Sequence, residues 1–133
     1  MAEIIKLESD GSLSFGDYTL PAKTKKEDFP ANGDLYKVKT FAELTKLEKN
    51  GAFAYESVPG TTVTAFKETA DGVSFVVSGA GDAQLTVGLA EDTEYSVVVD
   101  GVDAGKMKTN MGGKLVVSVE MEEGKSIKVD ITK

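Results

Sequence analysis

The chain has 133 residues, of which 41% are hydrophobic and 28% charged, and a formal net charge of −7, values ordinary for one globular domain. It contains no Cys, His or Trp, and all 15 of its basic residues are lysine. These absences exclude disulfides, thiolate nucleophiles, imidazole bases, zinc sites of the usual kind and arginine clamps, and the acidic balance disfavours nucleic acid and anionic membrane as partners.

In chain order, the first half predicts strands near 3–8, 12–16, 34–40, 43–49 and 52–57. The second half predicts them near 62–68, 72–78, 83–89, 93–99, 103–108, 113–120 and 126–132. Four of them follow one pattern, a Gly-ending turn pair and then alternating apolar positions: Asp10-Gly11 before Leu13 and Phe15, Asn50-Gly51 before Phe53 and Tyr55, Asp71-Gly72 before Val73, Phe75 and Val77, Gly112-Gly113 before Leu115, Val117 and Val119. Such pairs accept the positive φ of tight hairpins, and period-two apolarity marks a half-buried strand. The stretch from Lys23 to Asp34 reads as a long polar connection. Its lysines, Lys23, Lys25 and Lys26, run directly into Glu27 and Asp28 and read as a solvated loop rather than a phosphate site.

One segment carries two signals. Thr40-Phe41-Ala42-Glu43 fits a capping box, with Phe41, Leu44 and Leu47 at helical spacing, whereas Asn50-Gly51 is a hairpin signal. Strand neighbours on both sides favour a strand over 43–49.

Short strands at this spacing predict an all-β fold, an antiparallel β-sandwich with an N-terminal hairpin-rich extension. Residues 1–60 are expected to pack as extra hairpins on a seven-stranded, Ig-like sandwich formed by 61–133. The predicted core is Phe75, Val77, Leu85, Val87, Tyr95, Val97, Leu115, Val117, Ile127 and Val129. The terminal strands, 3–8 and 126–132, are the natural sheet edges, and unpaired edges recruit partners.

Paired carboxylates are the catalytic device this composition still permits. Glu91, Asp92, Glu94, Asp100 and Asp103 are candidates, but all sit in segments where acids serve turns. Asp100-Gly101-Val102-Asp103 offers oxygens to calcium without the ligand density of a calcium loop, and Glu120, Glu122 and Glu123 read as a solvated acidic tip. Gly79-Ala80-Gly81 precedes no helix and is no phosphate loop. For sugar stacking, Tyr18, Tyr36 and Tyr55 are the aromatic residues least committed to the core, and they form the candidate ligand-binding set.

Lys37-Val38-Lys39-Thr40-Phe41, Thr45-Lys46-Leu47-Glu48-Lys49-Asn50-Gly51, Tyr55-Glu56-Ser57-Val58-Pro59-Gly60-Thr61 and Met107-Lys108-Thr109-Asn110-Met111-Gly112-Gly113-Lys114-Leu115 resemble segments of short bacterial all-β proteins often labelled "endosialidase". The resemblance spans nearly the whole chain. It implies a β fold in a bacterial, glycan- or phage-linked setting. It carries no catalytic residue over, because sialidases grip the sugar carboxylate with arginines and this chain has none.

The sequence therefore ranks three readings. A non-catalytic structural or self-assembling protein comes first, a small glycan-binding module second, and a carboxylate-based glycoside hydrolase last. No cofactor or metal is expected. The expected partner is a homo-oligomer or larger assembly, with glycan as the alternative. Met1-Ala2-Glu3-Ile4-Ile5-Lys6 lacks the basic region and apolar stretch of a secretion signal, no apolar run approaches a bilayer span, and the expected location is cytoplasmic.

Overall fold

The computed structural model describes residues 3–133. Thirteen strands follow one another: β1 (Ile5–Leu7), β2 (Leu13–Phe15), β3 (Thr24–Ala31), β4 (Asp34–Phe41), β5 (Leu44–Lys49), β6 (Ala52–Val58), β7 (Thr62–Thr69), β8 (Gly72–Ser78), β9 (Ala83–Gly88), β10 (Glu94–Val99), β11 (Val102–Lys108), β12 (Lys114–Val119) and β13 (Ser126–Thr132). Among the described residues there is no helix. The fold is an antiparallel β-sandwich. One sheet has seven strands in the order β1-β2-β7-β8-β13-β10-β11, and the other has six in the order β12-β9-β6-β5-β4-β3.

Hairpin chemistry sets much of the connectivity. Asn32-Gly33, Asn50-Gly51 and Asp100-Gly101 each place two successive residues at positive φ, between 51° and 83°, as type I′ turns require. The 43–49 ambiguity resolves to strand, because Leu44–Lys49 pairs with β4 on one side and β6 on the other.

Alternation then decides what is buried. Leu115, Val117 and Val119 on β12 face inward while Lys114, Val116 and Ser118 are exposed. At the centre, Tyr55 of the six-stranded sheet meets Phe15, Phe66 and Phe75 of the other sheet edge to face, with ring centroids 5.3, 6.3 and 5.6 Å away. Such aromatic pairs contribute about 0.5–1.5 kcal/mol each beyond the area they bury. Nine of the ten predicted core residues are buried; Ile127 is half-buried, at the start of its strand.

Three expectations need correction. The polar connection from Lys23 to Asp34 contains the eight-residue strand β3. As the edge of its sheet it needs no apolar alternation, and its charged side chains remain in water. The C-terminal strand is no edge either: β13 lies between β8 and β10, with every residue from Ser126 to Thr132 in register with β8. Burial of Val129 and Ile131 places it in the middle of the sheet. Finally, the sheets do not divide at residue 60. Of the seven strands after it, five enter the larger sheet, but only β9 and β12 enter the smaller one, whose other four strands come from residues 24–58. The C-terminal part therefore lacks most of its opposing layer, and the two parts share one core.

Candidate functional site

The three tyrosines occupy different surroundings. Tyr55 is completely buried, and its hydroxyl shares a 2.8 Å hydrogen bond with Thr61 Oγ1; burial pushes its pKa well above the ordinary phenol value. It presents no surface to a ligand, which removes it from the candidate set. Tyr36, 5% exposed, packs its ring inward from β4, and burial raises its pKa as well. Tyr18 is half-buried. Its hydroxyl donates to Glu123 Oε2, and that bond holds its pKa above the ordinary value. Among the described residues Tyr36 lines two shallow clefts, beside Lys49 and Glu48, and neither Tyr18 nor Tyr55 lines them with it.

The acidic candidates are dispersed as well. Asp92 pairs with Lys108 at 3.3 Å and Glu94 with Lys106 at 3.9 Å across the β10–β11 hairpin. Asp103 accepts the Gly105 N–H at 2.8 Å within a bulge, and Glu122 pairs with Lys125 at 3.2 Å. Among the described residues no group of three acids is placed to hold a metal ion. Lys25 and Lys26 sit on β3, and Lys25 and Lys37 share Glu27 at 3.4 and 3.5 Å. A cleft of about 400 Å³ opens where β3 stands off from β1, lined by Ile4, Ile5, Phe29 and Pro30 among others.

The sheet edges have the most distinctive geometry. Four strands end the two sheets: β1 and β11 on one, β12 and β3 on the other. Natural edges are blunted by shortness, bulges, proline or lysine, and three of these four are. β1 has three residues. β3 carries Lys25, Lys26, Pro30 and a bulge with Asp28 at φ 54°. β11 carries Lys106, Lys108 and a bulge.

β12 has only one of these devices, Lys114 at its first position. It runs in unbroken register with β9 from Lys114–Gly88 to Val119–Ala83, and its middle is Leu-Val-Val-Ser. Asn110 takes both outward backbone groups of Lys114: its N–H donates to the Lys114 carbonyl at 3.1 Å, and its Oδ1 accepts the Lys114 N–H at 3.0 Å. Backbone direction alternates along an antiparallel strand, so the N–H and C=O of Val116 and Ser118 also point away from β9. No further strand pairs with them among the described residues.

Beside this open edge stands β11, joined to β12 by the turn at 109–113, which crosses from one sheet to the other. Every residue of β11 except half-buried Met107 is exposed, and Val102 is 69% exposed. A strand bare on both faces projects past the layer opposite it, whereas the inner face of β12 is covered. The period-two signal in the sequence revealed both strands but could not reveal that both end their sheets.

No family model, curated protein or solved structure matches the chain. Among the described residues no helix is long and apolar enough to cross a membrane.

Proposed function

We propose that the protein is a non-catalytic structural component of the bacterial cytoplasm that self-associates through the edges of its seven-stranded sheet. The observation that carries this reading is β11, a seven-residue strand that projects from the sandwich with both faces bare. The lysines that guard its edge are balanced within the hairpin by Glu94 and Asp92, which weakens their power to repel a second strand. The other end of the same sheet, β1, is also unpaired, so contacts between copies can be two-fold or head-to-tail. This reading is favoured over a glycan-binding module because Tyr36 and Tyr55 turn their rings into the core. The bacterial setting comes from the resemblance in the sequence.

Sedimentation velocity over a wide concentration range tests it. The parent is expected to associate as concentration rises, and Val102→Glu, which adds an uncompensated acid to the projecting strand, should shift association to higher concentration. A strict monomer at high concentration ends the proposal.

A further inference from the structure

Strand β12 and the overhang of β11 together form a notch. Its floor is the outward N–H and C=O groups of Val116 and Ser118, and its roof is the inner side of β11, where Val102 and Met107 meet solvent. The seven-stranded sheet has one strand more than the sheet it covers, and this is the side on which the smaller sheet falls short. We propose that the notch accepts one extended segment of another polypeptide, added antiparallel to β12 and covered by β11.

Three features define the occupant. Backbone recognition by a sheet edge requires an extended chain, and alternate side chains supply the specificity. The roof requires apolar residues on the inward positions of the added strand. Lys114 and Glu120 flank the β12 edge, both exposed and neither in an ion pair among the described residues; Lys114 instead lies over the Phe53 ring at 4.5 Å. An antiparallel strand is therefore matched when it is basic at its N-terminal end, opposite Glu120, and acidic at its C-terminal end, opposite Lys114.

The protein's own strands fit poorly. Joining two β12 edges about a two-fold axis would drive each projecting β11 into the seven-stranded sheet of the other copy. Of the chain's terminal strands, β13 is held in mid-sheet, and β1 is anchored at the far edge beside buried Ile4 and Ile5.

The probe is a synthetic peptide with the sequence of residues 113–121, Gly-Lys-Leu-Val-Val-Ser-Val-Glu-Met, which has the required charge order and alternation and, without β11 attached, escapes the clash that keeps a second copy out; it is made soluble with a polyethylene glycol tail. Fluorescence anisotropy should show saturable binding to the full-length protein. Exchanging the Lys and Glu of the peptide should weaken binding severalfold. Ser118→Pro removes an outward N–H without touching the β9 ladder and should weaken binding about tenfold or more. If Ser118→Pro does not fold, Val116→Lys, which keeps the backbone groups but sets a guarding lysine beside them, should weaken binding severalfold.

Absence of saturable binding overturns the inference. So does undiminished binding by a Ser118→Pro variant whose circular dichroism and melting match the parent. Self-association lost in Ser118→Pro, with no peptide binding in the parent, assigns the edge to a second copy and also overturns it. A monomer that binds the peptide upholds the notch while ending the self-assembly reading, so the two proposals fail separately.

Discussion

Thr45 and Thr61 bind each other twice. The Thr61 N–H donates to Thr45 Oγ1 at 3.0 Å, and Thr45 Oγ1 donates to the Thr61 carbonyl at 2.8 Å. Around this pair, Thr40 Oγ1 lies 2.8 Å from Thr45 Oγ1, and Ser57 Oγ and the Tyr55 hydroxyl lie 2.7 and 2.8 Å from Thr61 Oγ1. All five residues are buried, so the knot ties β4, β5 and β6 to the entry of β7, across the division expected at residue 60.

Thr45→Val keeps the shape and removes the hydroxyl, leaving the Thr61 N–H without its acceptor. The expected loss of stability is about 2–3 kcal/mol, read by urea denaturation, with Thr45→Ser recovering most of it. A Thr45→Val midpoint equal to the parent's would show that the knot contributes nothing net.

Tyr18, Tyr36 and Tyr55 all have phenol pKa values held above the ordinary value, through the Glu123 hydrogen bond in the first case and burial in the other two. In the folded state these groups keep their protons where the unfolded chain, with phenol pKa about 10, has begun to lose them. Above that pH the unfolded state binds fewer protons, so stability falls as pH rises; the stabilisation is complete below about pH 10. Spectrophotometric titration should show phenolate absorbance lagging that of the unfolded chain. Tyr55→Phe should reduce the alkaline loss. Superimposable folded and unfolded titration curves would contradict this assignment.

Val117 is 2% exposed and Val116 47% exposed, although they are neighbours on one strand. Val117→Asp buries an unpaired carboxylate, an uncompensated cost of several kcal/mol, and should abolish folding. Val116→Asp should change stability by only about 0.5 kcal/mol. Thermal melts of the two variants check the register of β12; equal destabilisation would show it displaced.

Gly60 and Gly81 make a second contrast. A Cβ on Gly60 would stand 2.0 Å from the Phe41 carbonyl oxygen, whereas one on Gly81 meets nothing within 4 Å. Gly60→Ala must push two backbones apart and should cost more than about 2 kcal/mol. Gly81→Ala should be neutral or stabilise by up to about 1 kcal/mol. Denaturant midpoints of both variants decide it.

By itself, the sequence determined the class of the fold and most of its strands. Period-two alternation is a local property, and it placed Phe75, Val77, Leu85, Val97 and Val117 inside before any partner strand was known. The charged strand β3 escaped that logic because an edge with both sides in water imposes no apolar pattern, although Asn32-Gly33, the turn that pairs β3 with β4, is itself a hairpin signal. Which strands neighbour which was settled only in three dimensions. The alternation of Ile127, Val129 and Ile131 is equally compatible with an edge and with mid-sheet, and the pairing of β13 with both β8 and β10 chose the second. Tyr55 falls on the apolar alternation after Asn50-Gly51 but reads locally as uncommitted to the core, and the hydroxyls of Thr61 and Ser57, which converge only on folding, allow its polar end to be buried. The open edge of β12 is likewise a tertiary property: residues 114–119 read as a half-buried strand wherever they sit, and only the sheet order leaves the outward backbone groups of Val116 and Ser118 beside the overhang of β11.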